Sequence, residues 1–333
     1  MTGAAGFIGS HLCERLLGRG CQVTGIDSFD PFYDPAVKRA NLSEALLDPR
    51  FRLVEADICD AAAVEVELDA WRPVDVVVHL AARAGVRPSI EEPLRYVRTN
   101  VEGTTALLEL SRRRGIGRFV FASSSSVYGN AARVPFSEDD PVAQPISPYA
   151  ATKRAGELLC HTYHHLFGIN AICLRLFTVY GPRQRPDLAI HKFTRLIGAG
   201  RRVPLFGDGT TARDYTYVDD IVDGIVGAME TVSQPEPVFE IVNLGGNRTT
   251  TLRDLVSLLG EILEVEPQIE WLPAQPGDVE RTYADVGRAR RLFGYESRTP
   301  LEVGLRRFVS WVRDGEQTRA GIAAEVLQPV RNG

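Results

Sequence analysis

Short apolar runs alternate along this chain with longer segments of helical periodicity. Gln22–Ile26, Phe51–Glu55, Val74–Leu80, Arg118–Ala122, Ala171–Leu176 and Phe239–Leu244 read as strands, and several are apolar at consecutive positions, as strands buried on both faces are. Between them the pattern predicts helices over about Pro35–Leu47, Asp60–Trp71, Pro93–Arg114, Tyr149–Phe167 and Asp219–Met229. Alternation at this spacing predicts an α/β fold, a doubly wound parallel sheet with helices on both faces. Later in the chain Val203–Phe206 reads as a strand and Thr251–Leu263 as an amphipathic helix. Thr299-Pro300-Leu301-Glu302 has the form of a capping box opening a last helix to about Arg313.

The opening stretch, TGAAGFIGSHL, spaces Gly3, Gly6 and Gly9 three apart through an apolar helical pattern. Glycines there let backbone approach a pyrophosphate at a helix N-terminus, where free N–H groups and the helix dipole favour an anion. Asp27 stands 18 residues after Gly9, at the end of the next strand. That is close to the spacing at which an acidic residue takes the adenosine ribose hydroxyls of a dinucleotide in a Rossmann-type sheet. An acid followed by Ser28 and Phe29 favours NAD over its 2′-phosphorylated form. Asp57 and Ile58 follow the second strand, where an adenine is bracketed, and Ala81, Ala82 and Ala84 let the cofactor lie close to backbone. His79, inside an apolar strand, reads as a packed core residue. Only Met1 and Thr2 precede the glycine loop, so most of the strand expected there is missing from this numbering. The expectation is a start set downstream of the natural one, since losing a central strand leaves neighbouring backbone groups unpaired.

The run FVFASSSSVYG places Ser123, Ser124, Ser125 and Ser126 at the carboxyl end of a strand, the side on which open α/β sheets bind ligands. In the helix that follows, Tyr149 and Lys153 are four residues apart and so share one face. An ammonium beside a phenol stabilises the phenolate, which makes Tyr149 a general base with Lys153 behind it and Ser124 beside it.

Composition narrows the partners. The 333 residues are 44% hydrophobic and 24% charged, with a net charge of −5, which lacks the basic excess of a nucleic-acid binder. The five cysteines (Cys13, Cys21, Cys59, Cys160, Cys173) are scattered, without a C-x-x-C pair, as reduced thiols of a cytoplasmic protein are. No apolar run reaches the length of a membrane span, so no membrane partner is expected. His161, His164 and His165 cluster on a helix that has a packing role already, and no metal site is expected from them. The residual apolar stripe on Pro93–Arg114 and Tyr149–Phe167 predicts a homodimer.

TGAAGFIGSHL, HLAARAGVRPSIEEP, FASSSSVYG, SPYAATK, LRLFTVYGPRQRPDLA, RDYTYVDDI and PGDVERTYAD together resemble the extended short-chain dehydrogenases/reductases of the NAD-dependent epimerase/dehydratase family, most closely the UDP-glucuronic acid 4-epimerases. The resemblance implies that Tyr149 removes the 4-hydroxyl proton of a UDP-uronic acid. A transient 4-keto sugar then turns over and is reduced on its other face, giving UDP-galacturonic acid from UDP-glucuronic acid. It implies an NAD site that also includes Phe7, Ile8, Leu80, Asn100, Ala122, Ser123, Phe177 and Val179. It implies substrate contacts from Val86, Arg87, Ser124, Ser125, Ser126, Tyr149, Phe177, Thr178, Arg185, Lys192, Phe193, Val203, Pro204, Leu205, Phe206, Arg213, Asp278 and Arg281. Arg213 and Arg281 fall on the diphosphate and Asp278 on the UDP ribose.

Family dehydratases carry an Asp-Glu pair where this chain has Ser125 and Ser126, and the related decarboxylases a glutamate at the position of Ser126. Ser126, Thr178 and Arg185 are the expected holders of the carboxylate, Arg183 being hard to separate from Arg185 by sequence. The implied division is an NAD-binding domain over 1–177 with a returning segment at about 216–250, a UDP-sugar domain over 178–215 and 251–314, and a tail, 315–333, without assigned role. The alternatives are a UDP-glucose or UDP-N-acetylhexosamine 4-epimerase, a UDP-glucuronate decarboxylase and, outside enzymes, a dinucleotide-binding sensor.

Overall fold

A computed structural model describes residues 1–69, 73–130, 133–273 and 279–326. Parallel strands β1 (Val23–Asp27), β2 (Phe51–Glu55), β3 (Val77–His79), β4 (Arg118–Ser124) and β5 (Asn170–Leu176) form the sheet, with β10 (Phe239–Leu244) at the far edge. β10 pairs with β5, β5 with β4 and β4 with β3, while β1 pairs with β2. Thr2 closes the gap between the halves. Its N–H donates to Val78 O and its carbonyl accepts from Leu80, while Met1 O accepts from Ile26. One residue thus stands in for a central strand, bridged to both Ile26 and His79. β3 is shorter than the expected Val74–Leu80, and the shortening falls where that central strand would flank it.

Strand alternation explains why both faces are covered. Val120, Ile172 and Leu174 point into the cluster under α1 (Phe7–Gly18) and α9 (Val218–Val232), whereas Phe119, Phe121, Ala171 and Cys173 point into the opposite cluster, with Leu107, Leu108 and Cys160. There they meet α6 (Gly103–Arg113) and α7 (Pro148–Phe167). This is the doubly wound Rossmann-like fold. The expected Pro93–Arg114 helix runs as α5 (Pro93–Val97), a π-turn over Arg98–Glu102, and α6.

After β5 the chain builds small sheets. β6 (Thr178–Tyr180) pairs parallel with β9 (Tyr215–Tyr217), β7 (Val203–Phe206) with β12 (Ile269–Leu272), and β8 (Ala212–Arg213) antiparallel with β11 (Thr250–Thr251). α10 (Leu252–Leu263) begins at Thr251, whose hydroxyl caps the N–H of Asp254.

Two expectations about the last helix are corrected. It spans Leu301–Val326 rather than stopping near Arg313. The capping box does not form, because Thr299 gives its hydroxyl and N–H to Asp220 at the start of α9 and Glu302 pairs with Arg306 instead. Among the described residues no helix is long and apolar enough to cross a membrane.

Candidate active site

The glycine loop turns from Thr2 into α1. Gly3 has φ +71°, and a Cβ there would lie 2.8 Å from the backbone N of Ala81; one on Gly9 would lie 2.0 Å from Gly3 O. Only glycine lets loop, helix and the β3 end pack this closely. Gly6 caps α1 without a side-chain hydrogen bond, leaving the first N–H groups open to the cleft. Asp27 lies across the loop, its Oδ2 accepting from Ala5 N–H at 3.1 Å and its Oδ1 from Phe29 N–H at 2.9 Å.

A cleft of about 430 Å³ runs from there along the carboxyl ends of the strands. It is lined by Gly3, Gly6, Phe7, Ile8 and Gly9, by Asp57 and Ile58, and by Leu80, Ala81, Ala82 and Ala84; its inner end is formed by Ala122, Ser123, Ser124, Tyr149, Lys153, Phe177, Thr178, Val179 and Arg185. A glycine cradle at an open helix N-terminus, with an anchored carboxylate at the next strand end, suits an extended dinucleotide.

The inner end is set by how α7 meets β4. Ser147 caps the helix by accepting from Ala150 N–H, Pro148 follows at its first turn, and Gly168 ends it at φ +68°. A Cβ on Gly156 would lie 2.3 Å from the Phe121 ring, so its absence lets α7 settle directly on the strand. Lys153 Nζ then reaches the carbonyl oxygen of Ala122 at 2.6 Å. Burial pushes the Lys153 ammonium down to about 8. Burial also raises the Tyr149 phenol, partly offset by its hydrogen bond with Ser124 and the positive charge of Arg185. Ser124 Oγ accepts from Ser126 N–H at 3.1 Å and donates to Ser126 Oγ at 3.0 Å, tying the serine run into one turn. The lining from β4, β5 and α7 carries no acidic side chain, while a phenol, an ammonium and hydroxyls meet there. That set moves a proton at a carbinol and has no acid pair to eliminate water.

The structure separates the two arginines that sequence could not. Arg183 turns back to Glu14 on α1 at 2.7 Å, whereas Arg185 lines the cleft. Arg213 lies on β8 with Arg281 beside it, through the bridge between Ala212 and Arg281.

Several of the expected site residues lie outside the cleft lining. Asn100 is buried below the cleft, its amide clamping the backbone of Arg83 at 2.8 and 3.0 Å and holding Thr152. Strand alternation sends Val203 and Leu205 into the core, leaving Pro204 and Phe206 partly exposed; Phe193 is buried too, while Lys192 is exposed. Val86 and Arg87 begin α4 (Val86–Glu91) outside the cleft lining, with Arg87 over the Phe206 ring. Ser125 and Ser126 are half-buried beside the lining rather than in it. Asp278 lies outside the described residues.

Sequence reasoning missed Tyr33, Lys38, Arg83 and Tyr96 in the lining, and it missed Glu157 and Arg175 behind it. Arg175 had a signal, a charge inside an otherwise apolar strand; Tyr96 and Lys38 had none.

The chain belongs to the NAD dependent epimerase/dehydratase family, whose pattern matches residues 1–245. Within that family it is 39% identical to a UDP-glucuronate 4-epimerase of Thermodesulfobacterium geofontis, over 94% of this chain and 95% of the relative. Its structure is similar to that of a UDP-glucuronic acid 4-epimerase from Bacillus cereus in complex with UDP-glucuronic acid and NAD, with TM-score 0.87 and 38% identity over 94% of this chain and 98% of the other. A dTDP-glucose 4,6-dehydratase from Streptomyces venezuelae matches with the same TM-score, 0.87, at 33% identity over 95% of this chain and 97% of that one. The fold therefore leaves epimerase and dehydratase level, and the side chains at the inner end decide between them.

Proposed function

We propose that this protein is an NAD-dependent UDP-glucuronate 4-epimerase, interconverting UDP-glucuronic acid and UDP-galacturonic acid through a 4-keto sugar. The observation that carries this is the inner end of the cleft, where Tyr149, Ser124 and Lys153 converge with Arg185 and Thr178 and the lining from β4, β5 and α7 has no acidic side chain. NAD, when bound there, would supply a two-electron hydride acceptor and donor at C4.

Gly3, Gly6 and Gly9 would hold its pyrophosphate, Asp27 the adenosine ribose, and Asp57 and Ile58 the adenine. Tyr149 takes the proton of the 4-hydroxyl, Ser124 holds the same oxygen, and Lys153 stabilises the phenolate electrostatically. A 4-keto uronic acid is a β-keto acid and loses carbon dioxide readily. Arg185 and Thr178, with Ser126 behind Ser124, hold the carboxylate in an orientation unfavourable to cleavage. Arg213 and Arg281 take the diphosphate. In this assignment residues 1–177 and about 216–250 form the cofactor domain, and 178–215 with 251–314 the UDP-sugar domain; β10, which pairs with β5, supports the return.

Incubation with UDP-glucuronic acid tests the reading. UDP-galacturonic acid as product supports it, a UDP-pentose replaces it with decarboxylation, and absence of turnover favours a neutral UDP-hexose. Unchanged activity in Tyr149→Phe would overturn the mechanism.

A cytoplasmic homodimer completes the proposal. Ile90, Leu94 and Val97 are exposed on α4 and α5, as are Leu158, Leu166 and Phe167 on α7, and a second copy would cover them. A monomer at micromolar concentration in light scattering would refute this.

A further inference from the structure

The helix that carries Tyr149 and Lys153 holds a second buried charge that the scheme above does not use. Glu157 is 1% exposed, one turn beyond Lys153 on α7. Its carboxylate is fully engaged. Oε1 accepts from Ser123 Oγ at 2.6 Å and from Arg175 Nε at 2.9 Å; Oε2 accepts from Arg175 at 3.0 Å and from Arg154 at 2.8 Å. The serine it grips lies between Ala122, whose carbonyl receives Lys153, and Ser124, which bonds Tyr149. Residues four apart on a helix share a face, so the carboxylate and the Lys153 ammonium look toward the same strand end.

We propose that Glu157 is a positioning residue for the proton-transfer centre, its carboxylate pinning the end of β4 beneath Tyr149 and Lys153 and setting a negative charge one helical turn from the Lys153 ammonium. This rests on the reading of Tyr149 and Lys153 as the pair that moves the proton.

The surroundings define the charge balance. On α7 the neighbours are Tyr149, Arg154 and Cys160; β3 brings His79, β4 brings Ser123 and Ser124, and β5 brings Cys173 and Arg175, with Tyr128 stacked beyond Arg175 at 4.8 Å. Burial pushes His79 down to about 3 and Cys173 well up, so both are neutral near pH 7. Burial also works against the Glu157 carboxylate, but the hydrogen bonds and charge of Arg175 outweigh it and hold Glu157 below its ordinary range. Against the burial of Lys153 work Cys160 first and then the ionised Glu157. Without it, Lys153 loses its proton at lower pH.

The test reads Lys153 itself. Lys38, Lys153 and Lys192 are the lysines of this chain, so a protein labelled with 13Cε-lysine gives few NMR signals, and Lys153→Met assigns the one that matters. In Glu157→Gln the Lys153 midpoint should fall by about one pH unit relative to wild type, and in Glu157→Asp, which keeps the charge, it should stay within about a few tenths. Equal midpoints in wild type and Glu157→Gln would overturn the proposal.

Glu157→Gln strands the Arg175 charge, so the double variant with Arg175→Met is made alongside; with both charges of the pair gone, its Lys153 midpoint should fall less than in Glu157→Gln alone. Loss of fold in both would also overturn it, by making the carboxylate purely structural. The titration needs no turnover, so its failure is distinct from failure of the epimerase reading, which shows as absence of UDP-galacturonic acid from the wild-type enzyme.

Discussion

Arg185 grips Asp187 with two nitrogens, Nε at 3.0 Å and a terminal nitrogen at 2.8 Å, while its guanidinium lies over the Phe32 ring at 5.1 Å. The fork that would receive a substrate carboxylate is thus already occupied by one. Asp187 is a half-exposed carboxylate, so exchanging it for the uronic acid trades one bidentate pair for another and keeps the guanidinium aligned. Arg185→Ala should raise KM for UDP-glucuronic acid by about ten- to a hundredfold, the worth of a charge-assisted hydrogen bond, and change UDP-glucose binding little. Arg183→Ala, which loses the contact with Glu14 on α1, should spare both. Equal losses for the two sugars in Arg185→Ala would remove its assigned role.

Gly9→Ala tests the glycine cradle. Its Cβ would meet the Gly3 carbonyl at 2.0 Å, and backbone must move to relieve that contact. Overpacking of this kind costs about 1–3 kcal/mol, and here it displaces the loop that faces the dinucleotide. The expected result is a folded protein whose melting temperature no longer rises on adding NAD. An undiminished NAD shift would show that the loop does not hold the pyrophosphate.

His79 makes stability pH-dependent. It lies between the hydroxyls of Thr2 at 2.8 Å and Thr104 at 2.9 Å, and burial pushes it down to about 3. The unfolded chain therefore binds a proton that the folded one refuses, and stability falls as pH drops below the ordinary value of about 6.5. Between pH 6.5 and 4 the loss is about 3 kcal/mol at one proton per molecule. Asp214 works in the opposite sense, since burial raises it to about 6 and the folded state gains protons there. The contribution of His79 is thus read as a difference. Urea unfolding of His79→Gln should lose less stability than wild type between pH 6.5 and 4, and parallel losses would contradict the assignment.

What was legible in the sequence and what was not divides on physical lines. β2, β7 and β10 match their expected spans because a short stretch built around Val, Ile, Leu and Phe and bounded by turn residues reads as a strand whatever packs on it. Tyr149 and Lys153 were legible because helical geometry fixes their relation whatever surrounds them. Arg183 and Arg185 were not, since two residues apart on an irregular segment carry no common direction; Arg183 has φ +66° and turns away. Val203 and Leu205 show the limit of carrying a segment over whole, because a strand presents alternate residues to opposite sides. Thr299 had the chemistry of a cap, but Asp220, distant in sequence, took its hydroxyl.

The space between β1 and β3 gives the last prediction. The Met1 ammonium donates to Thr24 O at 2.7 Å, and burial pushes it down to about 6. A cavity of about 600 Å³ continues beyond it between β1 and β3, lined by Val23, Thr24, Val76, Val77, Leu107 and Ile116 among others. Thr2 and Met1 already bond Val78 O and Thr24 O, and alternation of a parallel ladder turns the N–H groups of Thr24 and Val78 into that space. Five apolar, β-branched residues joined ahead of Met1 would satisfy those groups, fill the cavity and turn the buried ammonium into an amide. Apolar burial and the two new hydrogen bonds work against the ordering of five residues, and a net gain in stability is expected. A pH signature accompanies it. The lowered amine makes the unfolded chain the better proton binder between about 6 and 8, so stability of the shorter chain rises with pH across that window, and the extension should abolish this contribution. Urea midpoints for the chain as it stands, the apolar extension and a Gly/Ser extension of equal length decide the matter. The apolar form alone should be stabilised, and equal midpoints for all three would show that the slot takes no strand.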